Sequence, residues 1–212
     1  MLPIYLVYDS KVNEFEARCI MEALTAFKKL RPRQIVRAFG SQPWSTGNYS
    51  SADWYVRFAR RIYREELGRT QLDAGSILTL LENEPWQEQN PHIDLFSTSH
   101  DLNMRGMNFC FGMTRGRNIV LSVYRFRKLC DNDRALAIQT LIWHELGHIF
   151  GLASNLNREH TEELYGPHCT NVGCSMHQGI SVKEWVSLAR EVKKRDNIYC
   201  SQCITDLRHT RL

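Results

Sequence analysis

A chain of 212 residues is long enough for one well-cored domain or two small lobes, and it carries no internal repeat or low-complexity linker of the kind that marks solenoids and tethered arrays. With 43% hydrophobic and 24% charged residues it lies outside the disordered class, and no apolar stretch is long enough to span a bilayer. A net charge of +4 is too mild to argue for nucleic acid as a partner, and seven cysteines with no signal peptide lead us to expect a reducing cytoplasm.

In chain order, Leu2–Tyr8 reads as a strand and Asn13–Leu30 as an amphipathic helix with Phe15, Cys19, Ala23, Ala26 and Leu30 among its inner positions. Gln34–Phe39 reads as a second strand. The stretch Ala52–Gly68 has helical spacing, its Arg57, Arg60, Arg61 and Arg64 interleaved with Trp54, Phe58 and Ile62; this basic face reads as a solvated surface. Ser76–Leu81 fits a third strand. Asp131-Asn-Asp133 is an N-cap cluster for a helix that continues without Pro or Gly through Trp143 and on to Gly151. Its apolar residues cover most of its circumference, as in a helix buried at the centre of a domain. A further helix is expected over Val182–Lys194, within an irregular, cysteine-bearing end.

The buried helix carries His144-Glu-Leu-Gly-His148. Side chains four residues apart leave a helix on nearly the same face, so His144 and His148 can hold one metal ion with Glu145 beside its open side. A structural polar cluster is the bland alternative. It is disfavoured because each uncompensated buried polar group costs about 1–3 kcal/mol. Glu145 is then the expected general base toward a metal-held water, whose pKa zinc lowers towards about 7.

A catalytic zinc takes three protein ligands and leaves one position open. Gly151 stands where the metzincin pattern H-E-x-x-H-x-x-G-x-x-H places its glycine, but the next ligand position holds Ser154. Further on the chain reads His168-Cys-Thr-Asn-Val-Gly-Cys-Ser-Met176 and then Cys200-Ser-Gln-Cys203. This H-C-x4-C-x-M followed by C-x-x-C resembles the archaemetzincin family, provided that residues 154–167 are an insertion rich in Ser, Asn and Glu, the composition of a surface loop. Asp101–Gly112 with Asn118–Phe126, and Tyr199–Leu207, are similar to the family's stretches on either side. The resemblance implies His168 as third ligand, Met176 as the floor of the site, and Asn118–Phe126 as the edge strand along which a peptide would lie near Ile119–Tyr124. His160 lies nearer to Gly151 and competes as third ligand, but only His168 has the Cys-x4-Cys-x-Met sequel.

Cys169 and Cys174 with Cys200 and Cys203 have the spacing of a closed four-cysteine zinc site, with disulfides as the alternative. Cys19, Cys110 and Cys130 read as plain thiols. The expected fold is an α+β or α/β metzincin-like zincin with a twisted mixed sheet: one metalloprotease domain over residues 1–212, with an upper lobe to about residue 151 and a small zinc-stapled lower lobe over about 152–212. The expected activity is that of a zinc metallopeptidase with two zinc ions and a peptide or protein substrate, without nucleic acid or membrane. The rival readings are a zinc-stabilised binding or regulatory module and a small-molecule amide hydrolase. Substrate specificity and oligomeric state are not written in the sequence.

Overall fold

The computed structural model describes residues 1–42, 51–154, 158–163 and 165–210; residues 155–157 and 164 of the inserted segment lie outside the described residues. The chain divides into two compact units, one built from Leu2–Ala17 and Arg33–Arg125, the other mainly from Arg18–Pro32 and Phe126–Leu212.

The first unit carries β1 (Ile4–Tyr8), the first turn of α1 (Glu14–Leu30), β2 (Val36–Gly40), α2 (Ala52–Phe58), β3 (Arg61–Arg64), β4 (Arg69–Asp73), α3 (Ala74–Glu82), α4 (Pro85–Gln89), β5 (Ile93–Thr98), β6 (Leu102–Asn103), β7 (Gly112–Arg115) and β8 (Asn118–Ser122). Its main sheet has the order β2-β1-β5-β8-β7, parallel except for antiparallel β7, and a smaller sheet has the order β3-β4-β6. Every residue of β5 and β8 is buried, as expected of interior strands in a largely parallel sheet. Asn13 and Glu16 open α1 with a reciprocal capping box, each side chain accepting from the other's main-chain N–H at 2.9–3.0 Å.

Three expectations fail in this unit. The helix expected over Ala52–Gly68 stops at Phe58, where Ala59 turns extended. Ile62 and Tyr63 then enter β3, which pairs antiparallel with β4 across a turn that needs Gly68 at φ +57°. The strand expected over Ser76–Leu81 is α3, because the Asp73 carboxylate caps it by accepting from the Ser76 N–H at 2.9 Å and Ile77, Leu78 and Leu81 bury one helical face. The edge strand is β7 and not Asn118–Phe126: Ile119 pairs with Leu95 on one side and Thr114 on the other. The main chain of β8 is therefore already engaged, and no peptide can pair along Ile119–Ser122.

The second unit contains the rest of α1, α5 (Asp131–Ile149), β9 (Thr161–Glu162), β10 (His168–Cys169), α6 (Val182–Arg195) and α7 (Ser201–His209). The buried face of α1 is Cys19, Ile20, Ala23, Leu24 and Phe27, whereas Leu30 is 38% exposed. Of the positions read as inner, Cys19 and Ala23 are buried, Phe15 and Ala26 are half-buried, and Leu30 lies beyond the buried face. The N-cap of α5 is Cys130; Asp131 and Asp133 sit in the first turn, where their charge suits the helix N-terminus. Against α5 lies α6, capped by Ser181 and fixed by the Trp185 indole N–H donating to the Ala137 carbonyl at 3.0 Å.

Candidate metal centre

At its C-terminus α5 ends in a Schellman turn. The N–H of Leu152 donates to Gly147 O at 2.9 Å and that of Gly151 to His148 O at 3.1 Å, with Gly151 at φ +66°. One turn before this stop, His144 and His148 point the same way, their Nε2 atoms 3.1 Å apart. His168, in β10, completes the set, with ring centroids 5.1 Å from His144 and 4.9 Å from His148. Their ligating nitrogens converge within 4.8 Å.

Two of the tautomers are set by the main chain. His144 Nδ1 donates to Ser175 O at 2.7 Å and His168 Nδ1 to Gly166 O at 2.8 Å, leaving each Nε2 as a lone pair turned into the cluster. Burial, reinforced by the neighbouring His148 and His168, holds His144 well below the usual histidine pKa; burial and His168 push His148 down to about 3. Burial thus favours the neutral form in which an imidazole nitrogen can ligate a metal. The donor set fits a metal of the zinc class with a position to spare. Trp185 supports it, its ring edge-on to His144 at 5.3 Å.

Glu145, beside His144, is only 4% exposed. Met176 is fully buried against α5 at Gly147, so close that a β-carbon on Gly147 would lie 2.1 Å from the Met176 sulfur. Only glycine admits the methionine here.

The four cysteines Cys169, Cys174, Cys200 and Cys203 come together and are all free thiols. Cys169 and Cys200 have sulfurs 3.7 Å apart, Cys174 and Cys203 3.6 Å, close to the edge of about 3.8 Å expected for a tetrahedron with Zn–S near 2.3 Å. The disulfide alternative is not what the structure holds. Hydrogen bonding from Cys174 brings the Cys169 thiol down to about 7. Cys19 and Cys110 are buried and Cys130 is exposed, and none of the three belongs to this cluster.

The described residues between Ser154 and Pro167 make specific contacts. The return arm, β9, pairs antiparallel with β10, setting Glu162 opposite His168 and Thr161 opposite Cys169. Arg158, its side chain 6% exposed, pairs with the Asp206 carboxylate of α7 and donates to the sulfurs of Cys203 at 3.3 Å and Cys169 at 3.6 Å. Asp206 also accepts from the Ala153 N–H at 3.1 Å. His160 has its carbonyl held by the Thr170 N–H, but its side chain is 59% exposed and lies 3.9 Å from the Glu159 carboxylate. It is not part of the histidine cluster.

The family model for peptidase family M54 matches residues 88–209, more than half of the chain. The chain belongs to peptidase family M54. The archaemetzincin of Thermococcus kodakarensis is 37% identical over 95 residues, 41% of this chain and 44% of that protein; that of Methanopyrus kandleri is 33% identical over 111 residues, half of each. The chain thus spans about half the length of these curated relatives. The fold extends further than the identity. The crystal structure of the Methanopyrus kandleri archaemetzincin superposes with a TM-score of 0.67 over 98% of this chain and 93% of that one at 21% identity. A zinc-dependent peptidase from Methanocorpusculum labreanum gives 0.63 over 96% and 99%, also at 21% identity.

Within this M54 chain, sequence reasoning missed three supporting residues. Trp185 was readable only as one more apolar position of an amphipathic helix. Arg158 and Asp206, each in a charged stretch, carried no signal of burial.

Proposed function

We propose that the chain is a zinc-dependent metallopeptidase that hydrolyses peptide bonds, with His144, His148 and His168 as ligands of a catalytic zinc and Glu145 as general base. Cys169, Cys174, Cys200 and Cys203 would hold a second, structural zinc. The carrying observation is the 3.1 Å approach of two neutral imidazole nitrogens, His144 Nε2 and His148 Nε2, at the buried end of α5. Zinc bound there supplies Lewis acidity, activating a water at neutral pH and stabilising charge on the attacked carbonyl oxygen.

The remaining work belongs to the chain. The Ser175 and Gly166 carbonyls aim the lone pairs of His144 and His168. Glu145 takes the proton of the attacking water and returns it to the leaving amine. Cys169 follows His168 directly, so a closed site at the cysteines fixes the strand from which the third ligand projects. A reducing compartment suits these free thiols, and no helix among the described residues is long and apolar enough to cross a membrane.

The test is Glu145→Gln. The variant should keep its zinc and lose turnover on an unfolded protein or a peptide library by a factor on the order of 10² or more. Wild-type turnover in the variant would remove Glu145 from the mechanism. A fully zinc-loaded wild type that cleaves nothing in such libraries would favour the binding-module reading.

A further inference from the structure

Far from the histidines in sequence, the first unit contains a second convergence of metal-type donors. Glu84 follows α3, and His92 and Asp94 stand two residues apart at the start of β5, a spacing that puts both on one face of an extended chain. All three are buried, at 2%, 0% and 2% exposure, and one donor atom of each lies within 4.8 Å of the other two. Their stretch reads Glu84-Pro-Trp-Gln87-Glu-Gln-Asn-Pro-His92-Ile-Asp94, a local set of oxygen and nitrogen donors.

The orientation of His92 adds an independent argument. Its Nδ1 donates to Asn90 O at 2.6 Å, and its ring is stacked on Tyr5 at 4.2 Å, so the imidazole cannot turn freely. With Nδ1 so engaged, Nε2 is the ring atom that faces the cluster, 3.0 Å from Asp94 Oδ1, a separation bridged by a shared proton or by a bound cation. Around the same point, the Gln87 side-chain amide nitrogen lies 2.5 Å from Asp94 Oδ2, 3.3 Å from His92 Nε2 and 3.4 Å from Asn118 Oδ1, three acceptors for two amide protons. Tyr55 donates its hydroxyl to Glu84 Oε1. Two carboxyl groups this close and this buried cannot both carry an uncompensated charge.

We propose that Glu84, His92 and Asp94 form a buried site for a divalent first-row cation, with the mixed nitrogen and carboxylate donor set that suits zinc or manganese. One dication there would compensate both carboxyl groups and take His92 Nε2 as its nitrogen ligand. Such a cation would be structural, since ligands this buried leave no path for a substrate. It would tie the corner between α3 and α4, and through the Tyr55 hydroxyl α2, to the start of β5.

Cadmium-113 NMR of the cadmium-exchanged full chain tests this. Its shifts separate sulfur, nitrogen and oxygen donor sets, so the site is read independently of the histidine and cysteine clusters. The expected wild-type spectrum has an oxygen-rich resonance besides those of the thiolate and imidazole sites, and Glu84→Gln and Asp94→Asn each remove only that resonance. If a variant fails to fold, the wild-type spectrum decides alone. A wild type without the oxygen-rich resonance, showing instead an infrared carboxylic-acid band, would mean that protons do the balancing and would overturn the proposal. So would an oxygen-rich resonance that survives both substitutions.

Discussion

Gly147→Ala sets two known quantities against each other at the centre of the histidine site. In a helix interior, alanine is better than glycine by about 1 kcal/mol, so propensity alone predicts stabilisation. The added β-carbon, however, would lie 2.1 Å from Met176 Sδ, 3.2 Å from its Cγ and 3.4 Å from its Cε, and Met176 is fully buried. Overpacking of this kind costs about 1–3 kcal/mol, which leaves a net loss of about 0–2 kcal/mol. The larger effect should fall on the metal. Met176 follows Ser175, whose carbonyl orients His144, and its own carbonyl accepts from the Cys169 N–H at 2.9 Å. Disturbing an outer partner of a ligating histidine costs about 10–100-fold in metal affinity. Urea unfolding and zinc competition against a chelator measure both terms. Adding Met176→Ala makes room for the methyl group, so the double variant should lose less stability than the two single losses added together. A Gly147→Ala protein that is more stable by about 1 kcal/mol and holds zinc like the wild type would refute the reasoning.

The histidine assignment predicts that His168→Ala loses the catalytic zinc while His160→Ala keeps both metal and activity; elemental analysis of the two variants decides, and metal loss in His160→Ala alone would reverse the assignment. Arg158→Met keeps the bulk but removes the donors to Cys169 and Cys203, so transfer of zinc from the cysteine site to a chelator should speed up about 10–100-fold; an unchanged transfer rate would leave Arg158 no role at that site. In metal-free protein, His148 has a folded pKa near 3 against 6.5 unfolded, so the unfolded chain binds more protons between those values and the His148 contribution is lost as pH falls below about 6.5. The urea midpoint of the wild type should therefore drop more between pH 7.5 and 5 than that of His148→Gln, and parallel profiles would contradict the burial of a neutral imidazole.

What was legible in the sequence is what is local. His144 and His148 share a helix face by arithmetic, and each cysteine pair lies within a few residues, so no tertiary knowledge was needed to pair them. His168 was found only through its sequel of cysteines and methionine. Long-range pairing decided the failures. Arg61–Arg64 becomes a strand because Arg69–Asp73 lies opposite it, and Asn118–Ser122 is an interior strand because β7 folds back along it. Nothing in either segment announces its partner. The buried trio of Glu84, His92 and Asp94 carries no sequence signal for a similar reason: nothing links these residues until the fold brings them together out of water.

If residues 154–167 are an insertion and His168 is the third ligand, as proposed, then the ligand has been moved along the sequence without being moved in space. Chain length by itself is a small cost, about 0.6 kcal/mol of closure entropy for each doubling of a loop. The real problem is aiming the imidazole that follows it, since a flexible arm would lose the geometry that metal binding requires. Three fixings within one unit solve this. Gly151 and Ala153, both at positive φ, turn the chain out of α5, and the Asp206 carboxylate receives the Ala153 N–H there. The same carboxylate holds Arg158 further along, and Arg158 reaches back to two cysteine sulfurs. Finally β9 lies against β10, so the segment that displaced His168 in sequence is itself the strand that braces it. Pairing with β10 adds main-chain hydrogen bonds to the ligand's own strand, whereas a ligand at Ser154 would have had only the turn behind it. On this argument the precision of the third ligand comes from the hairpin and from Arg158, and the length of the insertion is free to vary where neither is touched.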